Sequence, residues 1–468
     1  MNFAEVKFWL ALGIGLVIVW LIRIIPVKAS RKNSDKYLLF ALGIGLLFFV
    51  GWVTATVFLY VALVTYFGTK MLLKKKRFRS ASAGLLAFFQ LAPLVWFKYS
   101  FFISNGIFGI YHTSLMTLAI PVGISFYTFQ CMSFSWDVIK QNHSQQNQFP
   151  KLIDFLNFAG FFPQIVAGPI ERKKDLLPQI QNFKFSFDKE SIDKGTTWVI
   201  IGLFFKLCLA DNLAIYFRPG ELAQSAWAVW FQNVIFGFRI YFDFAGYSLI
   251  ALGVGQWLGI GLTLNFLSPY TQKSITGFWR TWHVTLSQWF RDYIYFRMGG
   301  NKWTKGVVPM LVVFLVSGAW HGAGWNFIMW GLFHGVMVLT HRFFAQKISW
   351  PPFLGWMITT LGVFFAWLFF YQTDLEILLQ NLRVLLNPTA YSPALLKNFI
   401  LSFGAGDVVV IFGLLLLVVF LVLTEFLGRT YQSDPYGYLS KYPVLFLLIG
   451  MTIILAPASR NSFIYFAF

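Results

Sequence analysis

Acidic side chains are scarce in this protein: 18 Asp and Glu stand against 37 Lys and Arg in 468 residues, and charged residues make up 12% of the chain. An ordinary soluble domain carries roughly 25%. Cysteine is scarcer still. Cys131 and Cys208 both sit within apolar stretches, so neither a disulfide framework nor a thiolate zinc site can be assembled, and both are expected to pack. No internal repeat is evident, which weighs against a transporter built from inverted halves. A Gly-x-Ser-x-Gly elbow, a P-loop and a His-Glu-x-x-His helix are also missing, which argues against serine-hydrolase, nucleotide-hydrolysing and zinc-peptidase chemistry. No metal site is expected.

What the chain has in abundance is apolar and aromatic surface, at 57% hydrophobic and 20% aromatic residues. Repeated uncharged runs predict an all-α polytopic membrane protein, one integral-membrane domain over residues 1–468. Phe8 to Ile22 is followed by the basic residues Arg23, Lys28, Arg31, Lys32 and Lys36 instead of a small-residue cleavage site, so it reads as a retained span rather than a signal peptide. Leu38 to Phe67 holds thirty uncharged residues, about 45 Å as one helix against a hydrocarbon core of about 30 Å. A hairpin turning near Gly51 resolves the excess and returns both flanking basic loops to the cytoplasm, which leaves the N-terminus extracytoplasmic. Further spans are expected at 84–97, 115–135, 196–209, 226–241, 247–264, 307–320, 326–340, 353–371, 408–424 and 444–457. About eleven true crossings are expected. Phe155 to Ile170, interrupted by Pro163, Gly168 and Pro169, reads as re-entrant, a geometry tolerated only where protein or a cavity covers the backbone.

The formal charge of +19 falls in short loops between apolar runs, as the positive-inside rule requires, so nucleic acid is not expected as a partner. Gln272 to Lys305 stands apart. Its six basic residues, Lys273, Arg280, Arg291, Arg297, Lys302 and Lys305, are opposed by Asp292 alone and interleaved with nine Phe, Trp and Tyr side chains. Such a mixture suits the membrane–water boundary, either as an anchor to anionic lipid or as a rim that attracts phosphate around a cytoplasmic entrance.

Ionisable groups inside a membrane body are costly and are functional candidates by default. Of six histidines, His112 and His143 lie in polar surroundings and read as surface residues. His341 opens a basic patch with Arg342 and Lys347 and shares a helix face with His334, seven residues earlier. His321 stands between Trp320 and Gly322, in a segment of small residues ending at Trp325. There a buried neutral imidazole could act as a base between two indole walls, or serve only as a hydrogen-bonded core residue. His283, in the basic aromatic segment, could be a second acid–base group, an oxyanion donor or an interfacial side chain. His334 needs a turn near Gly322 to Trp325 to reach the same site. Asp243, set among aromatics, needs a buried partner; it could orient a histidine or neutralise an arginine, and a structural pairing is the favoured reading.

Several stretches together carry a resemblance. Phe278–Trp279–Arg280–Thr281–Trp282–His283–Val284–Thr285–Leu286–Ser287, then Arg291–Asp292–Tyr293–Ile294–Tyr295 and Gly299–Gly300–Asn301–Lys302, resemble the central signature of bacterial membrane-bound O-acyltransferases. So do Trp320–His321–Gly322–Ala323–Gly324–Trp325 with Trp330–Gly331 and His334–Gly335. Earlier stretches agree at 121–130, 162–170 and 241–248. The likeness runs in order from about residue 40 to Phe463–Ile464–Tyr465–Phe466, with a core signature at about 115–345. It is greatest toward the branch that acetylates alginate and peptidoglycan; the D-alanyl transfer protein of teichoic acid synthesis is a more distant cousin.

The resemblance implies tilted helices, short re-entrant or interfacial helices, and funnels from both membrane faces meeting at an essential histidine. That histidine matches His321, and His283 matches the supporting one. It further implies an acetyl-CoA or acyl-carrier-protein thioester as donor substrate, with Arg280, Arg291, Arg297 and Lys302 receiving its phosphates. Trp320, Trp325, Asp243 and His334 are the remaining candidate binding residues. No bound cofactor is implied. The expected setting is the bacterial inner membrane, amid lipid, with an extracytoplasmic SGNH or esterase-like acetyltransferase that passes the acyl group to a polysaccharide.

Overall fold

A computed structural model describes residues 3, 5–24, 31–74, 79–110, 119–140, 149–165, 168–186, 188–220, 222–345, 348, 351–458 and 461–464. Among these, 79% are helical and none forms a strand, which makes the protein all-α and polytopic. Seven helices are long and apolar enough to cross a membrane: Trp52–Lys74, Ala81–Tyr99, Lys189–Ile215, Ala226–Trp257, Thr304–His321, Pro352–Tyr371 and Ala405–Gln432. Val6–Ile22 and Tyr442–Leu455 are shorter apolar helices, and Leu152–Ile165 is an apolar helical stretch interrupted at Gly160 and Phe161. The count of about eleven expected from hydropathy therefore corresponds to seven full-length helices and several shorter ones among the described residues. His112, His143 and Lys347, together with residues 115–118, 166 and 167, lie outside the described residues.

The chain divides into two compact units, residues 1–199 with 247–264, and residues 200–246 with 265–468. In the first, Arg31–Val50 and Trp52–Lys74 are separate helices, and the interruption falls at Gly51, where the length argument puts the turn. Leu152–Ala159 and Phe162–Ile165 are short helices with buried residues on every side. This is the broken backbone expected of the re-entrant segment, and protein covers it. Gln130 ties it down: its Nε2 donates to the Phe158 carbonyl at 2.6 Å, and Gln164 Nε2 donates to Gln130 Oε1 at 2.6 Å.

One expectation is corrected. Residues 226–241 and 247–264 are not two spans, because Ala226–Trp257 is one 32-residue helix, about 48 Å long. Gly246 does not break it. A Cβ there would meet the Gly202 carbonyl oxygen at 2.7 Å, so this glycine serves close helix–helix approach instead of a turn.

In the second unit, Val307–His321 and Trp325–Phe343 form a helical hairpin. Gly318 lies so close to the carbonyl of Phe327, and Gly331 to that of Phe314, that a Cβ at either position would collide with backbone. Small residues facing each other let the two helices approach at backbone distance. Between them Gly322 and Gly324 are extended, at φ −161° and −167°. Gly322 is needed for space, because a Cβ would run into the ring of Phe327. Asn326 Nδ2 donates to the Phe369 carbonyl at 3.0 Å, which fixes the start of the second helix against Pro352–Tyr371.

Candidate active site

The hairpin decides which side chains meet. His321 is the last residue of its helix and is 2% exposed. Its ring lies 5.0 Å from Trp320, 4.9 Å from Trp330 and 5.2 Å from Phe370, at interplanar angles of 79°, 81° and 65°. These are edge-to-face contacts that orient an imidazole without neutralising it. Trp330 also lies 4.7 Å from His334, and Trp320 lies 6.0 Å from His283. Three buried imidazoles thus alternate with two indoles in the order His283, Trp320, His321, Trp330, His334. His334 comes into the array because the chain reverses at Gly322 to Gly324, the turn that its thirteen-residue separation from His321 demands. Its ring is further enclosed by Trp279 at 5.0 Å and stacked on Phe314 at 6.3 Å.

His283 precedes the helix Val284–Phe290 with φ 41° and ψ 57°, a left-handed conformation that a side-chain-bearing residue adopts at a cost of about 1–3 kcal/mol. Two backbone hydrogen bonds hold it on either side: Leu267 N donates to Thr281 O and Val284 N to Asn265 O, each at 2.9 Å. Thr285 Oγ1 donates to Asn265 Oδ1 at 2.7 Å. Phe244 meets the imidazole edge-on at 4.7 Å. Burial pushes its pKa down to about 3, so the ring is neutral at physiological pH.

A cavity of about 560 Å³ opens beside this array. It is lined by Arg280, Arg291 and Arg342 and by Trp279 and Phe314, and it reaches Ser317, one helical turn before His321. Of the four cations expected at a donor rim, Arg280 and Arg291 line the cavity. Arg297 and Lys302 are exposed and fall outside that lining. Trp320 is buried against His321, Trp330 supplies another indole against it, and Trp325 is 47% exposed. Asp243 is engaged by the protein itself. Lys206 Nζ lies 2.7 Å from its Oδ1 and 2.8 Å from Asp211 Oδ1, and Ile464 N donates to Asp243 Oδ2 at 2.7 Å. The structural pairing expected for Asp243 is thus made with Lys206, and the charge of buried Arg239 also acts on it. Among the described residues, no group of three His, Cys, Asp or Glu stands close enough to hold a metal ion.

Sequence reasoning named Trp330 and Arg342 without placing them at the site, and passed over Phe370 and Asn265. Trp330 had a local signal, standing four residues before His334. Phe370 is one of many phenylalanines in an apolar run, and only packing distinguishes it. Arg342 read as an ordinary cation at the end of a span.

These features define a multi-pass membrane protein with buried imidazoles beside a basic, aromatic cavity, a class suited to group transfer within a membrane. The sequence model of the MBOAT, membrane-bound O-acyltransferase family matches residues 126–379, and the chain belongs to that family. It is 31% identical over 435 residues to the peptidoglycan O-acetyltransferase of Helicobacter pylori, covering 82% of this chain and 81% of the relative. It is 34% identical over 302 residues to a probable alginate O-acetylase of Pseudomonas putida, covering 62% of this chain and 61% of that protein. The teichoic acid D-alanyltransferase of Bacillus subtilis is 31% identical over 255 residues, half of this chain and 63% of its own length.

Proposed function

We propose that this protein is a transmembrane O-acyltransferase that moves an acyl group, acetyl in the simplest reading, from a cytoplasmic thioester to hydroxyls of a cell-surface or extracellular polysaccharide. Residues 1–468 act as one catalytic domain, set in the bacterial cytoplasmic membrane with the N-terminus outside. The names of the relatives support acetyl transfer to a glycan. The observation that carries the assignment of the site is His321, enclosed by Trp320, Trp330 and Phe370 at 4.9–5.2 Å and one turn beyond a cavity lined with guanidinium groups.

In this reading the His321 imidazole takes the proton of an acceptor hydroxyl. The oxygen attacks the thioester carbonyl, and the proton passes to the departing thiolate as the C–S bond breaks. His283, neutral and pinned in its strained conformation, supports the reaction as a second acid–base group or as a donor to the oxyanion. Arg280 and Arg291 attract donor phosphates. The donor is acetyl-CoA or an acyl-carrier thioester, no bound cofactor takes part, and an extracytoplasmic esterase-like transferase completes delivery to the polysaccharide.

The test is transfer of labelled acetyl from acetyl-CoA to a glycan acceptor by the purified full chain. His321→Ala should reduce the rate at least about a hundredfold, within the range general-base catalysis supplies, while the helical circular dichroism signal is kept. Intact acetylation by His321→Ala would instead indicate a scaffold, and passage of the acyl compound across vesicles without bond formation a transporter. D-Alanyl transfer to teichoic acid is the second reading. It draws on relatives that match a smaller share of this chain, and D-alanyl-carrier turnover with inert acetyl-CoA would establish it.

A further inference from the structure

We infer that Arg342 is the specificity residue that recognises a phosphate ester on the acyl donor; the inference rests on the proposed acyl-transfer reading and deepens it. Three guanidinium groups line the cavity, and they differ in how they are held. Arg280 is exposed. Arg291 is exposed and tied to Asp292 at 2.8 Å, which compensates its charge. Arg342 is half-buried. Its Nη2 donates to Asn301 Oδ1 at 2.9 Å and its Nη1 to Tyr295 OH at 3.4 Å, while Tyr295 OH also donates to Asn301 Oδ1. Both acceptors are neutral, and among the described residues no carboxylate meets Arg342. The guanidinium lies over the Phe343 ring, 5.5 Å from its centroid, so its charge has an aromatic face but no counter-ion although its fork is fixed. A guanidinium has five N–H donors, so the remaining ones are available to a second, anionic partner.

The surrounding backbone is shaped around this cradle. Gly306, at φ +81°, lies beneath it, and a Cβ there would come within 2.6 Å of Tyr295 OH, 2.7 Å of Arg342 Nη1 and 2.8 Å of Asn301 Oδ1. The loop bearing Asn301 holds five positive-φ residues in eight positions: Gly299, Gly300, Thr304, Lys305 and Gly306. Thr304 and Lys305 are not glycines, and left-handed side-chain-bearing residues cluster where surrounding structure enforces them at functional sites. Fixing a planar fork before binding is the arrangement that favours a phosphate oxygen pair over a point charge.

Along the helix that begins after Gly306, beside Arg342, the cavity is lined by Met310, Val313 and Phe314 and then by Ser317. An anionic head followed by a slender neutral arm matches that sequence of surfaces, which is the chemistry of a pantetheine phosphate ester. Coenzyme A and the prosthetic group of a carrier protein both present it.

The experiment follows thiol release by the full chain in nanodiscs, at constant glycan acceptor, from acetyl-CoA, from an acetylated carrier protein and from acetyl-pantetheine, which lacks phosphate. In Arg342→Ala the ratio of kcat/KM for the preferred phosphate-bearing donor to that for acetyl-pantetheine should fall at least about tenfold, mostly through KM, the size expected for a hydrogen bond to a charged group. Arg342→Lys keeps the charge and loses the fork, so it should fall with Ala and not with wild type. Asn301→Ala should give a smaller fall of the same sign. Turnover of the coenzyme thioester or of the carrier thioester tells which source supplies the phosphate. An unchanged ratio with overall activity lowered equally for all donors overturns the assignment and makes Arg342 structural. No thiol release from any donor by wild type overturns the acyl-transfer reading, and this inference with it.

Discussion

In the first unit Lys36 meets Asp154 at 2.7 Å, Asn157 donates to the Lys36 carbonyl, and Gln90 Nε2 reaches both Thr65 Oγ1 and Ser135 Oγ at 2.8 and 3.0 Å. The second unit also buries an ion cluster, Lys206 with Asp211 and Asp243. Around His334, however, it places indoles and phenyl rings instead of hydrogen-bonding partners: neither ring nitrogen of His334, nor Nε1 of Trp279 or Trp330, finds a protein partner among the described residues. A polar group satisfied by its own fold is committed to stability, since an unmade hydrogen bond in a buried place costs about 1–3 kcal/mol. A polar group surrounded by aromatic edges keeps its chemistry for something else. The difference separates the paired polar groups around Lys36 and Gln90 from the aromatic enclosure to which the proposed chemistry is assigned.

Removing a cation should separate the two regions most. Lys206→Met leaves two carboxylates buried at 1% and 3% side-chain exposure and should cost at least about 3–5 kcal/mol, as for a broken buried pair. Lys36→Met leaves one, at 6%, and should cost less. Unfolding of both variants in the same detergent measures the gap, and equal losses would break the comparison. Next in size, Gly318→Ala forces a methyl onto the Phe327 carbonyl and should cost about 1–3 kcal/mol by overpacking. It should lower activity more than stability, because Trp330 and Phe327 ride on the helix that must shift. Assay and melting on one preparation would check this.

The smallest effect is a pair of pH slopes of opposite sign. Burial pushes His283 down to about 3 from an ordinary 6.5. Below about pH 6.5 the unfolded chain binds the proton that the folded chain refuses, so this group makes stability fall as pH falls. In the first unit, burial pushes Glu171 up to about 7 from 4.5, although the amide and hydroxyl of Thr263 oppose the shift. Here the folded chain keeps a proton that the unfolded chain releases, so stability is lost as pH rises from about 4.5 through about 7. Glu171→Gln should flatten the alkaline slope and His283→Gln the acid one, read from unfolding midpoints between pH 5 and 8. A single common slope in both variants would contradict the assignment.

Much of the architecture was legible along the chain because its causes are local. Excess length with no charge demanded the break at Gly51, and Pro163 with Gly168 marked a segment that cannot run as one helix. The continuity of Ala226–Trp257 was not legible. A glycine in an apolar run reads alike whether it turns the chain or admits a neighbour, and only Gly202 beside Gly246 distinguishes the two. At the site, His321, His283 and His334 stood out because ionisable groups in apolar surroundings are rare. Trp330 as a wall of the His321 ring, and the division of the basic rim into Arg280 and Arg291 on the cavity with Arg297 and Lys302 off it, carried no such mark.

Hydrophobicity, charge placement and the positions of histidine and glycine by themselves determined that this protein is a polytopic helical membrane protein of the acyltransferase family with buried imidazoles. These are properties of single residues and their near neighbours, and solvation reads them one segment at a time. Only the tertiary structure decided which rings touch which histidine, that a lysine answers Asp243, and that Asn301, Tyr295 and Gly306 shape a cradle for Arg342. Those choices depend on contacts between residues far apart in sequence, and no local pattern encodes a distance.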